Sequence, residues 1–311
     1  MSPLLIVVGF CLLILPGIAR PISLRIDPRR WTKLCSLAFV AGLALVEIGL
    51  LAFSATAFVA NNHSGCTSNC VVMMTRAAPG GVVLGWAGFV IASVLAVFAI
   101  RALIQARQTQ AISRVESFVG CHSKLDQHEL VVLDTQMPVA LSISGHPGQI
   151  LISEGLVNTL EPLEMTAVLK HELAHLDHSH HRYLLLASVV EATTGKLSPI
   201  RHSTETLRLG IERWADEAAA ATLQDGRRHV RSALLHTVGI RMSPTIAGFS
   251  SLNTVVERLG ALDGPPLTPS IGLRGLLYLP IIILGLIAVS ATRSWVGEIH
   301  LLLIMASRCH F

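Results

Sequence analysis

His171-Glu172-Leu173-Ala174-His175 sets two imidazoles and a carboxylate in the pattern His-Glu-x-x-His. On a helix, residues i and i+4 share one face, so His171 and His175 can converge on one metal ion while Glu172 reaches a water beside it. Zinc suits such a site. In catalytic use it takes three protein ligands, keeps a fourth position for water and lowers the pKa of that water toward neutrality. Glu172 is then the candidate general base, taking a proton as the water attacks a carbonyl. The third ligand must come from elsewhere in the chain. Glu212 is the candidate, in the run Leu209-Gly210-Ile211-Glu212-Arg213-Trp214-Ala215-Asp216-Glu217-Ala218. Asp216, four residues on, shares its helix face and is expected to accept a hydrogen bond from the outer nitrogen of a ligand histidine. His178 lies seven residues after His171 on nearly the same face and would stand in as a ligand if Glu212 were misassigned. Otherwise His178, His180 and His181 read as solvated or outer residues of the site.

The elements that must position these groups are also legible. Pro162 suits the first turn of a helix, and Leu163, Val168, Leu169, Leu173 and Leu176 supply an apolar set at helical spacing. Before it, Glu129 to Leu133, Val139 to Ile143 and Gln149 to Ile152 read as three strands, with a turn at His146-Pro147-Gly148. A small sheet followed by a zinc helix and a third-ligand helix is an α+β zincin plan. Its edge strand, Val139 to Ser144 or Gln149 to Ser153, is expected to receive an extended substrate by main-chain pairing. Residues 194–204 read as a loop near the cleft. There His202 is either an oxyanion-stabilising group or a plain surface histidine.

Half the residues (51%) are hydrophobic, 14% are charged and the mean hydropathy is +0.59, which excludes an ordinary soluble domain. The apolar residues are segmental: Leu4 to Ile18, Cys35 to Ala60, Val82 to Ile100 and Leu276 to Ala291 are expected to be spans, the last containing Pro280. No basic residue precedes the first run and its boundary makes a poor cleavage site, so it reads as a retained span rather than a signal peptide. Arg20, Arg25, Arg29, Arg30 and Lys33 lie between the first two spans, against a lone Arg76 in the next loop. The basic loop, and with it the catalytic domain, is therefore expected to be cytoplasmic. Cys66 and Cys70 then fall in an outer loop where a disulfide can form; grouped with His63 they form a weaker, metal-binding alternative. Glu47 is a lone carboxylate inside the second span, either functional or a neutral interior acid. Gly81, Gly85 and Gly88 place small residues along one side of the third. The net charge of +4 belongs to membrane-flanking basic residues, and no interleaved aromatic and basic patch points to nucleic acid.

The block from Glu164 to His175, the Glu-x-x-x-Asp at Glu212 and Asp216 and the flanking spans resemble the membrane-embedded gluzincins. Two groups compete: the HtpX-like quality-control proteases and the peptidase part of the BlaR/MecR antirepressor receptors. Over residues 125 to 262 the resemblance implies zinc held by His171, His175 and Glu212, with Glu172 as the base. Three spans before the catalytic helix and one after it resemble BlaR/MecR more. No penicillin-binding sensor domain follows, so β-lactam sensing is not implied.

The expected protein is an α-helical membrane protein of about four transmembrane helices carrying an α+β zincin-type metallopeptidase domain. Residues 1–104 hold three spans, 105–270 the peptidase domain and 271–311 the fourth span and a tail. A Zn2+ ion, a protein or peptide substrate and the lipid bilayer are its expected partners. The expected activity is regulatory, antirepressor-like endoproteolysis at the cytoplasmic face, with HtpX-like quality control or a non-catalytic membrane sensor as alternatives. The retained Glu172 favours catalysis over the sensor. The absence of repeats and the single internal acid argue against a transporter.

Overall fold

The computed structural model describes residues 2–61, 81–116, 121–194, 197–241, 249–265, 282–297, 300 and 304. Cys66, Cys70, His63, Arg76 and Pro280, with the start of the expected fourth span and most of the expected linker at 264–269, lie outside the described residues. Helix α1 (Ser2–Ile18) is followed by α2 (Pro28–Asn61) and α3 (Gly81–Glu116). Strands β1 (Cys121–Leu125), β2 (His128–Leu133), β3 (Ala140–Ile143) and β4 (Gln149–Ser153) come next. Apart from the short helical turns Arg20–Ser23 and Glu154–Val157, the helices that follow are α4 (Pro162–Asp177), α5 (His180–Thr194), α6 (Ser198–Ala220), α7 (Gly226–Arg241), α8 (Phe249–Asp263) and α9 (Ile282–Gly297).

Among the described residues, two helices are long and apolar enough to cross a membrane: Pro28–Phe58 and Gly81–Thr109, with mean hydropathies of 2.3 and 2.4. Pro3–Ile18 and Ile282–Gly297 are apolar but shorter. The outer face of α3 carries Val83, Trp86, Phe89, Val90, Val94 and Phe98, all exposed, as befits a helix facing lipid. Its other side packs through small residues, because a Cβ added at Gly85 would meet Ala57, and one at Gly88 would meet Ser54. Gly81 takes no part in this contact. α3 runs on past the apolar stretch as a polar helix to Glu116.

The first two apolar helices share a core with α5 and α6. Leu13 of α1 and Trp31, Cys35 and Phe39 of α2 cluster with Ala187 and Val190 of α5 and Ile200, Leu207 and Ile211 of α6. Burying a Leu or Ile side chain stabilises by about 1.5–3 kcal/mol, so this seam fixes α6 against the spans. Polar contacts set its register: Gly17 N–H donates to Ser203 Oγ at 2.9 Å, and Arg213 donates to the carbonyls of Ser23 and Leu24 at 2.9 and 3.2 Å. On the far side of α1, Leu5, Val8 and Leu12 pack against Ala288 and Ala291 of α9.

The sheet has four strands in the order β1-β2-β4-β3, with β2 and β4 parallel and the other pairs antiparallel. Sequence patterning missed β1, whose Cys-His-Ser-Lys-Leu is mostly exposed and carries no alternating apolar signal. Of the two expected edge strands only β3 is at an edge. Gln149 to Ser153 is interior, paired on both sides, and its Ile150 and Ile152 pack on Leu173 of α4. That β3 edge also lies against α4.

Candidate metal centre

Helix α4 starts at Pro162, where a missing N–H costs nothing, and the Glu161 N–H donates to Glu164 Oε2 at 3.1 Å. Glu164 is buried and also accepts from Ser232 Oγ and from His236 Nδ1, both on α7. Burial works against its charge, but the bonds from Ser232 and His236 outweigh it and hold the carboxyl below the usual range. Leu173 and Ala174 face inward, which turns His171 and His175 toward α6.

Glu212 on α6 meets them. His171 Nε2 and His175 Nε2 are 3.1 Å apart, and they lie 3.6 and 3.8 Å from the carboxylate oxygens of Glu212. Tetrahedral ligands about 2.0–2.1 Å from zinc stand roughly 3.3 Å from one another, so the three donors are spaced as such an ion requires. The ligand atoms of these three residues all lie within 4.8 Å of one another, and they form the metal-type cluster found among the described residues. His178 is not in it; its ring stacks on Trp214 at 4.9 Å.

Asp216 stands behind His171. Its Oδ1 lies 3.0 Å from His171 Nδ1, so it orients that ligand from behind. Sequence reasoning missed the next partner, Arg258 of α8. Its guanidinium makes two bonds to Asp216, at 2.7 and 2.8 Å, and a 2.9 Å contact to Glu212 Oε2. A single arginine 42 residues after Asp216 on an amphipathic helix gives no local signal of this, since only the packing of α8 on α6 brings it in. Glu172, beside His171 on α4, adds to the negative field on Arg258.

The charges are strongly coupled. Burial opposes ionisation of Glu212 and Asp216, yet Arg258 and His171 hold both carboxyls well below the carboxylate range. Burial likewise opposes an imidazolium at His171, but Asp216 and Glu212 outweigh it and raise its pKa, whereas His175 is pushed down by burial and by its charged neighbour.

His180, read as either solvated or an outer residue of the site, is the latter: it is fully buried, with Nδ1 3.0 Å from His175 Nδ1, and burial pushes its pKa down to about 3. It follows a turn rather than a helix face, so helical spacing could not place it. Ser198 to Thr204 are helical rather than loop, with Pro199 in the first turn of α6. His202 there is exposed and lies near Arg20 and Glu205, ten residues and so about 15 Å along the helix from Glu212; it is not an oxyanion group. Glu47 is half-buried in α2 and, among the described residues, has no ion or hydrogen-bond partner.

The site thus brings two histidines and a glutamate together, a donor set that fits a zinc ion, with Glu172 on the same helix as the two histidines. A family model for peptidase family M48 matches residues 105–198, which include His171, Glu172 and His175. A protease HtpX homologue from Acidiphilium cryptum (strain JF-5) is 25% identical over 158 residues, 50% of this chain and 54% of the relative. The chain therefore spans about half the length of the curated relative it matches. No solved structure matches. These likenesses are to a peptidase family and to a protease, and they support a protease reading of the site.

Proposed function

We propose that this chain is a multi-pass membrane zinc endopeptidase that hydrolyses protein or peptide substrates, of the HtpX-like rather than the BlaR/MecR-like kind. The convergence of His171, His175 and Glu212 to spacings that zinc ligands require carries the reading. The relative named as a protease HtpX homologue favours quality-control proteolysis over the antirepressor role suggested by the order of the spans.

Zinc, when bound, supplies a Lewis acid that polarises the scissile carbonyl and makes water nucleophilic near neutral pH. The residues of the chain do the rest. Glu172 takes the proton of the attacking water and returns it to the leaving amine. Asp216 holds His171 with its proton on Nδ1, so that Nε2 presents a lone pair. The β3 edge beside α4 offers main-chain groups to an extended substrate, laying it along the zinc helix. α1 and α9, although short, pack against each other and α2, which supports four membrane helices rather than two.

Glu172→Gln keeps size and polarity but cannot take the proton. Cells expressing the native chain should accumulate membrane-protein or regulator fragments that are missing in cells expressing Glu172→Gln, while the purified variant still holds zinc. Identical fragment patterns in the two strains would refute the proposal.

A further inference from the structure

We propose that His180 is a positioning residue for the second metal ligand, its Nδ1 accepting the hydrogen of His175 Nδ1 and so fixing the tautomer and ring plane in which His175 Nε2 faces the ion. This rests on the zinc reading above. His175 Nε2 points at His171 Nε2 and Glu212, so it must carry the lone pair and the ring proton sits on Nδ1. That N–H faces His180 Nδ1 at 3.0 Å, with the two rings 4.8 Å apart and nearly perpendicular. The proton of His180 then belongs on Nε2, and Nε2 is a buried nitrogen without a hydrogen-bond partner.

Two costs show that the residue is not there for packing. A buried, unpaired donor costs about 1–3 kcal/mol, and an apolar side chain would fill the space among Trp214, His178 and Tyr183 without it. Ser179, immediately before, takes the left-handed conformation at φ 53°, uncommon for a residue with a Cβ. This turn ends α4 and folds the first residue of α5 back onto the ligand one turn behind. The two ligand histidines are therefore backed unequally. His171 leans on a carboxylate that is itself held by Arg258, whereas His175 leans on a neutral imidazole, which fixes direction without adding a third negative charge to Glu212 and Asp216.

Asparagine places an oxygen near the position of a histidine Nδ1, and leucine has nearly the same shape without an acceptor. Zinc affinity of the purified full chain, measured by competition with a chelator, should stay within a few-fold of native in His180→Asn and fall 10- to 100-fold in His180→Leu. The metal-free forms of the two variants should unfold at similar temperatures. If His180→Leu does not fold, His180→Phe replaces it as the variant without an acceptor. Equal zinc affinity with and without the acceptor overturns this inference alone. A native chain that binds no zinc overturns the zinc reading and takes this inference with it.

Discussion

Arg258 Nη2 lies 2.7 Å from Asp216 Oδ1, the same oxygen that stands 3.0 Å from His171 Nδ1. One carboxylate thus ties a metal ligand on α4 to a cation on α8. Asp216→Ala removes the acceptor and leaves His171 free to rotate, so zinc affinity should drop 10- to 100-fold, while Asp216→Asn, which still accepts a hydrogen bond, should lose less. Chelator competition on the purified variants measures both. Equal losses would mean that charge alone, and not orientation, links Asp216 to the metal.

Arg258 is mostly buried and faces two carboxylates, Asp216 and Glu212. Removing one partner of a buried ionic group typically costs 3–5 kcal/mol, because the remaining charges are left uncompensated. Arg258→Gln should destabilise the metal-free protein by about 3 kcal/mol. Zinc supplies positive charge at Glu212, so it should restore part of that loss and raise the unfolding temperature of the variant more than that of the native chain. Thermal unfolding with and without zinc is the measurement; an equal zinc effect on both proteins would show that Arg258 does not balance the ligand charge.

What the sequence made legible follows from distance along the chain. His171, Glu172 and His175 are within one turn of each other, and Glu212 and Asp216 within another, so helical period alone puts each set on one face. The pairing of the two sets needed only that α4 and α6 pack, which their apolar faces demand. Arg258 was not legible as a site residue, because it arrives through the tertiary packing of α8, and His180 was legible only as one of two readings, solvated or outer, because a left-handed turn at Ser179 breaks the period that would have placed it. β1 was missed for a related reason: an exposed edge strand buries too little to leave a pattern. The length of α6 was underestimated because Pro199 was read as a loop residue when it sits in a first helical turn, where proline is tolerated.

Glu164 anchors the start of the zinc helix to α7 through Ser232 and His236. Its carboxyl is held below the ordinary value of 4.5, so its contribution to stability is present above that pH and is lost as the pH falls through its lower, folded-state value. Glu164→Gln, which cannot carry the charge, should cost about 2 kcal/mol at neutral pH, the scale of one hydrogen bond to a charged group. The gap between native and variant should narrow as the pH falls from 4.5 through the lower folded-state value, below which the native side chain is neutral too. Denaturation of the metal-free forms at neutral and acid pH tests this; a gap that does not depend on pH would assign Glu164 a packing role only.

A cytoplasmic side for the candidate metal site is predicted from where the basic loop docks. Arg20 pairs with both carboxylate oxygens of Glu257 at 3.1 Å, next to Arg258; Arg29 lies over the Trp214 ring of α6; and Arg213 holds the carbonyls of Ser23 and Leu24. The segment between α1 and α2 therefore shares a side with the helices that build the site. Segments rich in Lys and Arg that flank a span are retained in the cytoplasm, and this loop with the first turns of α2 carries Arg20, Arg25, Arg29, Arg30 and Lys33 against one acid, Asp27. A phosphatase that is active only when exported should accordingly work when inserted within residues 61–81 and be silent when inserted near Gln224. Replacing the five basic residues by neutral ones should weaken the bias, raising the signal at Gln224 as misoriented chains appear. A phosphatase active at Gln224 in the unaltered chain would put the zinc centre outside, and its substrates would then be proteins of the cell envelope rather than of the cytoplasm.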